Sequence, residues 1–217
     1  MVNWDRIDTV LLDMDGTLLD LHFDNYFWLE HLPKRYAQHK GISRDEASSW
    51  LKQFSDSLHG TLNWYCLDYW SDALGMDVEA LKLEVQDHVR FRPGAVEFLR
   101  FLHQKGKRCI LVTNAHPRAL ELKLAASGLG QYLHAKYSTH PFGLAKENLG
   151  FWTRLKEVAA LDYQRSLFID DSTNVLRSAR EEGLPHLLQV LQPDTTQPVR
   201  APGEFPGLVH FSELMTS

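Results

Sequence analysis

The stretch Ile7-Asp8-Thr9-Val10-Leu11-Leu12-Asp13-Met14-Asp15-Gly16-Thr17-Leu18-Leu19-Asp20 decides how the rest of the chain is read. Its first half, Ile7 to Leu12, is a short β-branched and apolar run that reads as a buried strand. Two carboxylates and a glycine follow at once. In an open parallel sheet, ligands bind beyond the carboxyl ends of the strands, so an acidic Asp-x-Asp-Gly at that place is a candidate site.

Working outward, the chain changes texture after Asp20. Ser43-Arg44-Asp45-Glu46 is a capping box, and Asp77 with Glu79 marks another helix start. The periodicity predicts four helices over roughly 24–39, 43–58, 63–74 and 78–89, with Pro33 expected to kink or interrupt the first. From Pro93 onward, strand and helix alternate. Strands are predicted at Cys109–Val112, Ala135–Ser138, Ser166–Ile169 and Leu187–Val190, separated by helices at Pro93–Gly106, Pro117–Ser127, Glu147–Ala160 and Thr173–Glu182. The tail Gln192–Gly207 carries four prolines and is expected to be irregular. Single helices between strands imply crossover connections, hence an α/β fold with a doubly wound parallel sheet. The helices that interrupt it are best explained as an inserted α-helical cap. The expected division is a core of residues 1–19 and 91–217, with a cap of residues 20–90.

Composition narrows the function. The 217 residues are 44% hydrophobic with a net charge of −5, which excludes a disordered chain and argues against a nucleic-acid polymer as partner. The apolar runs are too short to span a membrane. Two cysteines make no disulfide framework, and no signal segment is visible, so a cytoplasmic location is expected.

The residues after each predicted strand carry the chemistry. They are Asp13 and Asp15, then Thr113 and Asn114, then Lys146, then Asp170 and Asp171. Alone, each has a commonplace explanation: a turn, an N-cap, a solvated lysine. Together, at successive strand ends, they supply four carboxylates, a hydroxyl and an ammonium. Residues two apart on extended backbone point the same way, so Asp13 and Asp15 are expected to converge on one centre. Crowded carboxylates repel unless a cation sits between them, and all-oxygen ligation suits Mg²⁺. Lys146 and Thr113 would then serve an anion that shares the metal. That combination describes a phosphoryl site.

The same residues carry a resemblance. DMDGTLLD (Asp13 to Asp20), Thr113, Lys146 and the Asp170-Asp171 pair resemble the four motifs of the haloacid dehalogenase-like (HAD) hydrolase superfamily, and the helical insertion falls at that family's cap position. Two departures stand out: Glu147 follows Lys146 where many relatives have proline, and the fourth motif reads IDDS. The resemblance implies a Rossmann-like core and a phosphomonoester hydrolase. Asp13 would be the nucleophile that forms an aspartyl-phosphate, and Asp15 the general acid and base. Gly16, Thr17, Thr113, Asn114 and Lys146 would hold the phosphoryl group. Mg²⁺ would be held by Asp13, the Asp15 carbonyl and Asp171, with Asp170 close by.

Residues 20–90 hold 11 of the 24 aromatic residues and four of the six tryptophans. Tyr26, Phe27 and Trp28 are consecutive, as are Trp64 and Tyr65, so one helix face cannot bury them all. Exposed aromatic faces suit a planar base. The strings LDLHFDNYFWLEHLP, TLNWYCLDYWSDALG and VTNAHPRALELKL further resemble the bacterial branch described as GMP/IMP 5′-nucleotidases. This second resemblance implies a purine nucleoside 5′-monophosphate as the small-molecule substrate. Composition and spacing alone stop at a phosphatase of small phosphate esters, with sugar phosphates as an alternative. A phosphomutase, which uses the same two aspartates, also remains open.

Overall fold

A computed structural model describes residues 2–215. Six parallel strands form one sheet in the order β3-β2-β1-β4-β5-β6. They are β1 (Thr9–Leu12), β2 (Arg108–Thr113), β3 (Ala135–Ser138), β4 (Ser166–Asp170), β5 (His186–Val190) and β6 (Gly207–Leu208). The α/β doubly wound reading therefore holds. After β1 the chain builds β2 and β3 on one side, then crosses to β4, β5 and β6 on the other. The crevice at this reversal, between β1 and β4, is where such sheets bind ligands.

The sheet is apolar on both faces, because helices cover both. Val10, Leu12, Cys109, Leu111, Leu167 and Ile169 point into one buried cluster, which continues into the helical segment. Leu11, Ile110, Val112 and Phe168 point into the other, packed by Phe151, Trp152 and Leu176. Period-two alternation along each strand produces this split.

Between β1 and the next core helix run α1 (His22–Tyr26), α2 (Leu32–Lys40), α3 (Arg44–Leu58), α4 (Leu67–Leu74) and α5 (Val78–Leu83). Pro33 does not break the first of these stretches. Residues Phe27–His31 widen into a π turn between α1 and α2, and Pro33, which has no N–H to place, sits in the first turn of α2. The capping box at Ser43 and the Asp77 cap both form as expected. The third and fourth predicted helices each include a 3₁₀ turn, Leu62–Tyr65 and Gln86–His88.

The core then adds α6 (Ala95–Gln104), α7 (Pro117–Ser127), α8 (Phe151–Val158) and α9 (Thr173–Glu181). Helix α8 begins four residues later than expected. The Asn148 side chain accepts from the Ala145 amide at 2.9 Å to make a turn, and Gly150 takes a φ of 89° before the helix opens. The tail is not wholly irregular either. Leu191 N–H donates to the Leu208 carbonyl at 2.9 Å, and Gly207–Leu208 adds the sixth strand.

Candidate active site

Asp13 is the first residue beyond β1. Its amide donates to the Ile169 carbonyl at 3.0 Å, which extends the Leu12–Ile169 pairing and sets Asp13 beside Asp170, the last residue of β4. Lys146 reaches between them, with Nζ 2.5 Å from Asp13 Oδ1, 2.6 Å from Asp170 Oδ2 and 3.2 Å from the Val112 carbonyl. All three side chains are buried. The lysine backbone is fixed by Asn114, whose Oδ1 accepts the Lys146 amide at 2.9 Å. A carboxylate oxygen of Asp171 lies within 4.8 Å of ligand oxygens on both Asp13 and Asp170.

The electrostatics of this cluster are unbalanced. Three carboxylates face the Lys146 ammonium and, on Asp171 alone, the half-exposed Arg200 guanidinium at 3.3 Å. Burial, with the neighbouring Asp170 and Asp15 charges, pushes the Asp13 carboxyl up to about 7 against the pull of Lys146. Burial and the Asp13 charge likewise raise Asp171 to about 7, and burial raises Asp170 to about 6. Burial also opposes the Lys146 charge, but Asp13 and Asp170 outweigh it and hold the ammonium protonated. A hard divalent cation among Asp13, Asp170 and Asp171 would relieve the residual repulsion, and an all-oxygen donor set fits one.

The turn after Asp13 requires glycine. Gly16 has a φ of 86°, and a Cβ there would lie 2.8 Å from Pro193 Cβ and 3.0 Å from Asp171 Cγ. Thr17 follows with a fully buried hydroxyl that has no hydrogen-bond partner. A buried orphan hydroxyl costs stability unless a ligand satisfies it, which fits a phosphoryl oxygen. Thr113 Oγ1 accepts the Ala115 amide at 3.0 Å, leaving its own proton free to donate. Asn114, which lines the cavity, also scaffolds it, because its Nδ2 donates one proton to Glu147 Oε2 at 2.8 Å.

Asp13 and Asp15 line the same cavity but do not share a partner. They converge on that one cavity, close enough for the Asp15 charge to act on Asp13, but each takes a different lysine. Asp13 meets Lys146, whereas Asp15 Oδ1 accepts from Lys123 Nζ at 2.6 Å. Sequence reasoning missed this second lysine. Lys123, on α7, also donates to Asp24 Oδ2 at 2.6 Å, and Lys82, on α5, donates to Asp24 Oδ1 at 3.0 Å. The ammonium of Lys82 lies 4.3 Å from the Phe27 ring centroid. The chain Asp15–Lys123–Asp24–Lys82 thus ties the strand-end turn to the helical segment through buried charge.

Burial works to raise the Asp24 carboxyl, but Lys123 and Lys82 prevail and hold it at about 2. A depressed carboxyl contributes stability above its unfolded pKa of about 4 and loses it as pH falls through its folded value. Lys123→Met is therefore expected to melt well below the wild type at pH 7, with the gap closing between about pH 4 and 2. Thermal melts across that range check it, and a gap independent of pH would contradict the ion-pair origin.

Glu147 also has a task no sequence pattern showed. Its Oε1 accepts from the Tyr65 hydroxyl at 2.7 Å, while Oε2 holds Asn114. The residue where many relatives have proline here links α8's approach loop to the helical segment.

Above the polar floor lies a cavity of about 700 Å³, roofed by Trp28, Leu29, Trp64, Tyr65 and Trp70. Phe27 is fully buried, while its neighbour Trp28 faces the cavity. Tyr26 does not line it. That ring stacks on His88 at 4.3 Å between centroids.

The comparisons with known proteins agree with this geometry. A family model described as haloacid dehalogenase-like hydrolase matches residues 7–183. The chain is 41% identical over 216 residues to the GMP/IMP nucleotidase YrfG of Escherichia coli (strain K12), covering 100% of this chain and 97% of that protein. Among solved structures, a HAD phosphatase from Thermococcus onnurineus superposes with a TM-score of 0.80 at 18% identity, covering 96% of each chain. The L-2-haloacid dehalogenase of Xanthobacter autotrophicus superposes with a TM-score of 0.65 at 16% identity, over 96% of this chain and 97% of that one. At such identities these two structures speak for the fold alone. No helix among the described residues is long and apolar enough to cross a membrane.

Proposed function

The chain belongs to the haloacid dehalogenase-like hydrolase family, and from that premise we propose that it hydrolyses purine nucleoside 5′-monophosphates, GMP or IMP, to nucleoside and phosphate. The observation that carries the substrate class is the 41% identity to a GMP/IMP nucleotidase, which runs the whole length and includes the helical segment. The aromatic roof over an acidic floor supports it. Residues 20–90 would act as a cap over a core formed by 1–19 and 91–217.

In this reading Asp13 attacks phosphorus and displaces the nucleoside 5′-oxygen, forming an aspartyl-phosphate. Asp15 gives that oxygen its proton, then takes one from the water that cleaves the intermediate. Lys146, Thr17 and Thr113 hold the equatorial oxygens, with the Gly16 turn letting the backbone approach and Asn114 fixing Lys146. Mg²⁺, held by Asp13, Asp171 and the Asp15 carbonyl with Asp170 nearby, would neutralise phosphoryl charge. Positioning and charge neutralisation are what a loose phosphoryl transition state needs.

Two outcomes test the reading. EDTA is expected to abolish turnover and Mg²⁺ to restore it. Because the carboxyls of Asp13 and Asp171 are raised to about 7, the metal-free fold is penalised progressively as pH rises from about 4 to 7 and by a constant amount above, and a cation meets both groups ionised only above that range. Mg²⁺ is therefore expected to raise the melting temperature more at pH 8 than at pH 5.5. An equal shift at both values would remove these carboxyls from the metal site.

For the substrate, a screen of phosphate esters with Mg²⁺ is expected to give higher kcat/KM for GMP or IMP than for glucose or glycerol phosphates. Phosphate release without a bisphosphate primer separates hydrolysis from a mutase. Trp64→Ala is expected to depress GMP hydrolysis by about tenfold, as loss of one stacked base at ~1–3 kcal/mol implies, and to spare p-nitrophenyl phosphate. Sugar phosphates outperforming every purine nucleotide would sink the substrate and leave the chemistry standing.

A further inference from the structure

A second cluster of metal-ligating side chains stands apart from the carboxylates. Cys66 lies between the 3₁₀ turn Leu62–Tyr65 and α4, His116 caps α7, and His140 opens the 3₁₀ turn after β3. One ligand atom from each lies within 4.8 Å of the others. The thiol comes from the helical segment and both imidazoles come from strand-end loops of the sheet, so the cluster spans the two.

The state of His140 distinguishes this cluster from chance proximity. Its Nε2 is buried and has no hydrogen-bond partner. A histidine with such a buried, unpartnered nitrogen can offer that nitrogen's lone pair to a metal. His116 meets it edge-on at 4.9 Å between ring centroids. The ring nitrogens of His116 are held only by long contacts, 3.3 Å from the Arg118 amide and 3.5 Å from the exposed Asp68 carboxylate. Cys66 is a free, half-buried thiol.

A second Cys–His–His group, His103, Cys109 and His134, shows what an already satisfied cluster looks like. There His103 Nε2 meets the Tyr132 carbonyl at 2.8 Å, and His134 Nδ1 accepts the Cys109 amide at 3.0 Å. Those rings are committed to the fold. His140 Nε2, by contrast, is buried with no partner.

We propose that Cys66, His116 and His140 form a binding site for a borderline-soft divalent cation of the Zn²⁺ class, distinct from the catalytic carboxylates, which staples the helical segment to the sheet. One thiolate and two imidazoles suit Zn²⁺ and disfavour Mg²⁺. Zn–S and Zn–N bonds of about 2.3 and 2.0–2.1 Å set tetrahedral ligand spacings of about 3.3–3.6 Å, so the three groups close by no more than about 1.5 Å. The Cys66 proton leaves to solvent, and a water completes the fourth position. Trp64 and Tyr65, which line the cavity, immediately precede Cys66. A cation here therefore fixes the roof of the substrate cavity, and occupancy is expected to slow turnover. That last consequence rests on the phosphatase reading; the binding site does not.

Co²⁺, which reports its ligands optically, tests the site in the full chain with Mg²⁺ in excess to fill the carboxylates. The expected result is one equivalent bound with a thiolate-to-cobalt charge-transfer band, displaced by Zn²⁺. The band is expected to vanish in Cys66→Ser and to persist in Cys109→Ala, and His140→Gln is expected to weaken binding at least about tenfold. Circular dichroism confirms that each variant is folded. In the activity arm, Zn²⁺ is expected to inhibit the wild type at saturating Mg²⁺ and to leave Cys66→Ser unaffected, with equal turnover of the two proteins before Zn²⁺ is added. Absence of the band in the wild type, or its survival in folded Cys66→Ser, overturns the proposal. If hydrolysis itself were not observed, the cobalt spectrum would still decide the site, so the two readings fail separately.

Discussion

Asp13→Asn is expected to abolish phosphate release while leaving the fold intact, a loss on the order of 10⁴-fold or more, as removal of a covalent nucleophile gives elsewhere. The amide is nearly isosteric with the carboxylate, so the buried packing around residue 13 need not change. What changes is charge. Lys146 Nζ, 2.5 Å from Asp13 Oδ1, keeps Asp170 as its remaining anionic partner. The cluster of Asp13, Asp170 and Asp171 loses one of its three carboxylates, and the amide has no anionic oxygen to attack phosphorus. Steady-state phosphate release on a preparation shown by mass spectrometry to be free of deamidation checks this. Near-native turnover would remove Asp13 from the nucleophile role.

Lys146→Met is expected to cost both stability and turnover. The ammonium is the only cation in direct ion-pair contact with Asp13 and Asp170 among the described residues. Removing one partner of a buried pair typically costs about 3–5 kcal/mol, because the other charge is left uncompensated. For a chain of this length that lowers Tm by roughly 6–20 °C. The sign of its pH dependence is fixed. Without the lysine the carboxyls rise further above their unfolded values, so the penalty is present at neutral and alkaline pH and shrinks as pH falls and they protonate. Turnover is expected to fall by at least about 10²-fold, since a preorganised positive charge on the transferring group is lost. Melts in EDTA at pH 5 and pH 8, paired with kinetics in Mg²⁺, measure both. A Tm deficit larger at pH 5 than at pH 8 would contradict the ion-pair account.

Both predictions concern residues that were legible in the sequence, and there is a physical reason for that. A parallel sheet buries its strands as short apolar runs and delivers the next polar residue to one edge. Asp13, Thr113, Asp170 and Asp171 could therefore be placed from their neighbours alone. Lys146 lies several loop residues beyond its strand, so the strand end marks it less directly, and the resemblance adds its role rather than its place.

What stayed hidden depends on contacts between distant elements. Lys123 sits in the predicted helix Pro117–Ser127, where a lysine reads as solvated. Only the packing of α1 and α5 over α7 brings Asp24, Lys82 and Asp15 around it. Glu147 reads in the sequence only as a departure from a pattern, because its partners Tyr65 and Asn114 come from distant elements. The aromatic-rich segment announced that some rings must face a surface but not which ones. Trp28 turns toward the cavity and Tyr26 toward His88. The π turn ahead of Pro33 and the two-residue β6 fall below what periodicity can register, because each spans only about one period and a period shows only when it repeats.

The central claim is a covalent phosphoryl intermediate on Asp13, formed from a purine nucleotide. Acid quenching during GMP turnover with Mg²⁺, followed by borohydride reduction, converts an aspartyl-phosphate to homoserine, which mass spectrometry locates in the peptide that spans residues 7–20. Homoserine at position 13, dependent on both GMP and Mg²⁺, is the expected result. Rapid phosphate release with an unmodified Asp13 at every quench time, or reduction at a different carboxyl, would contradict it.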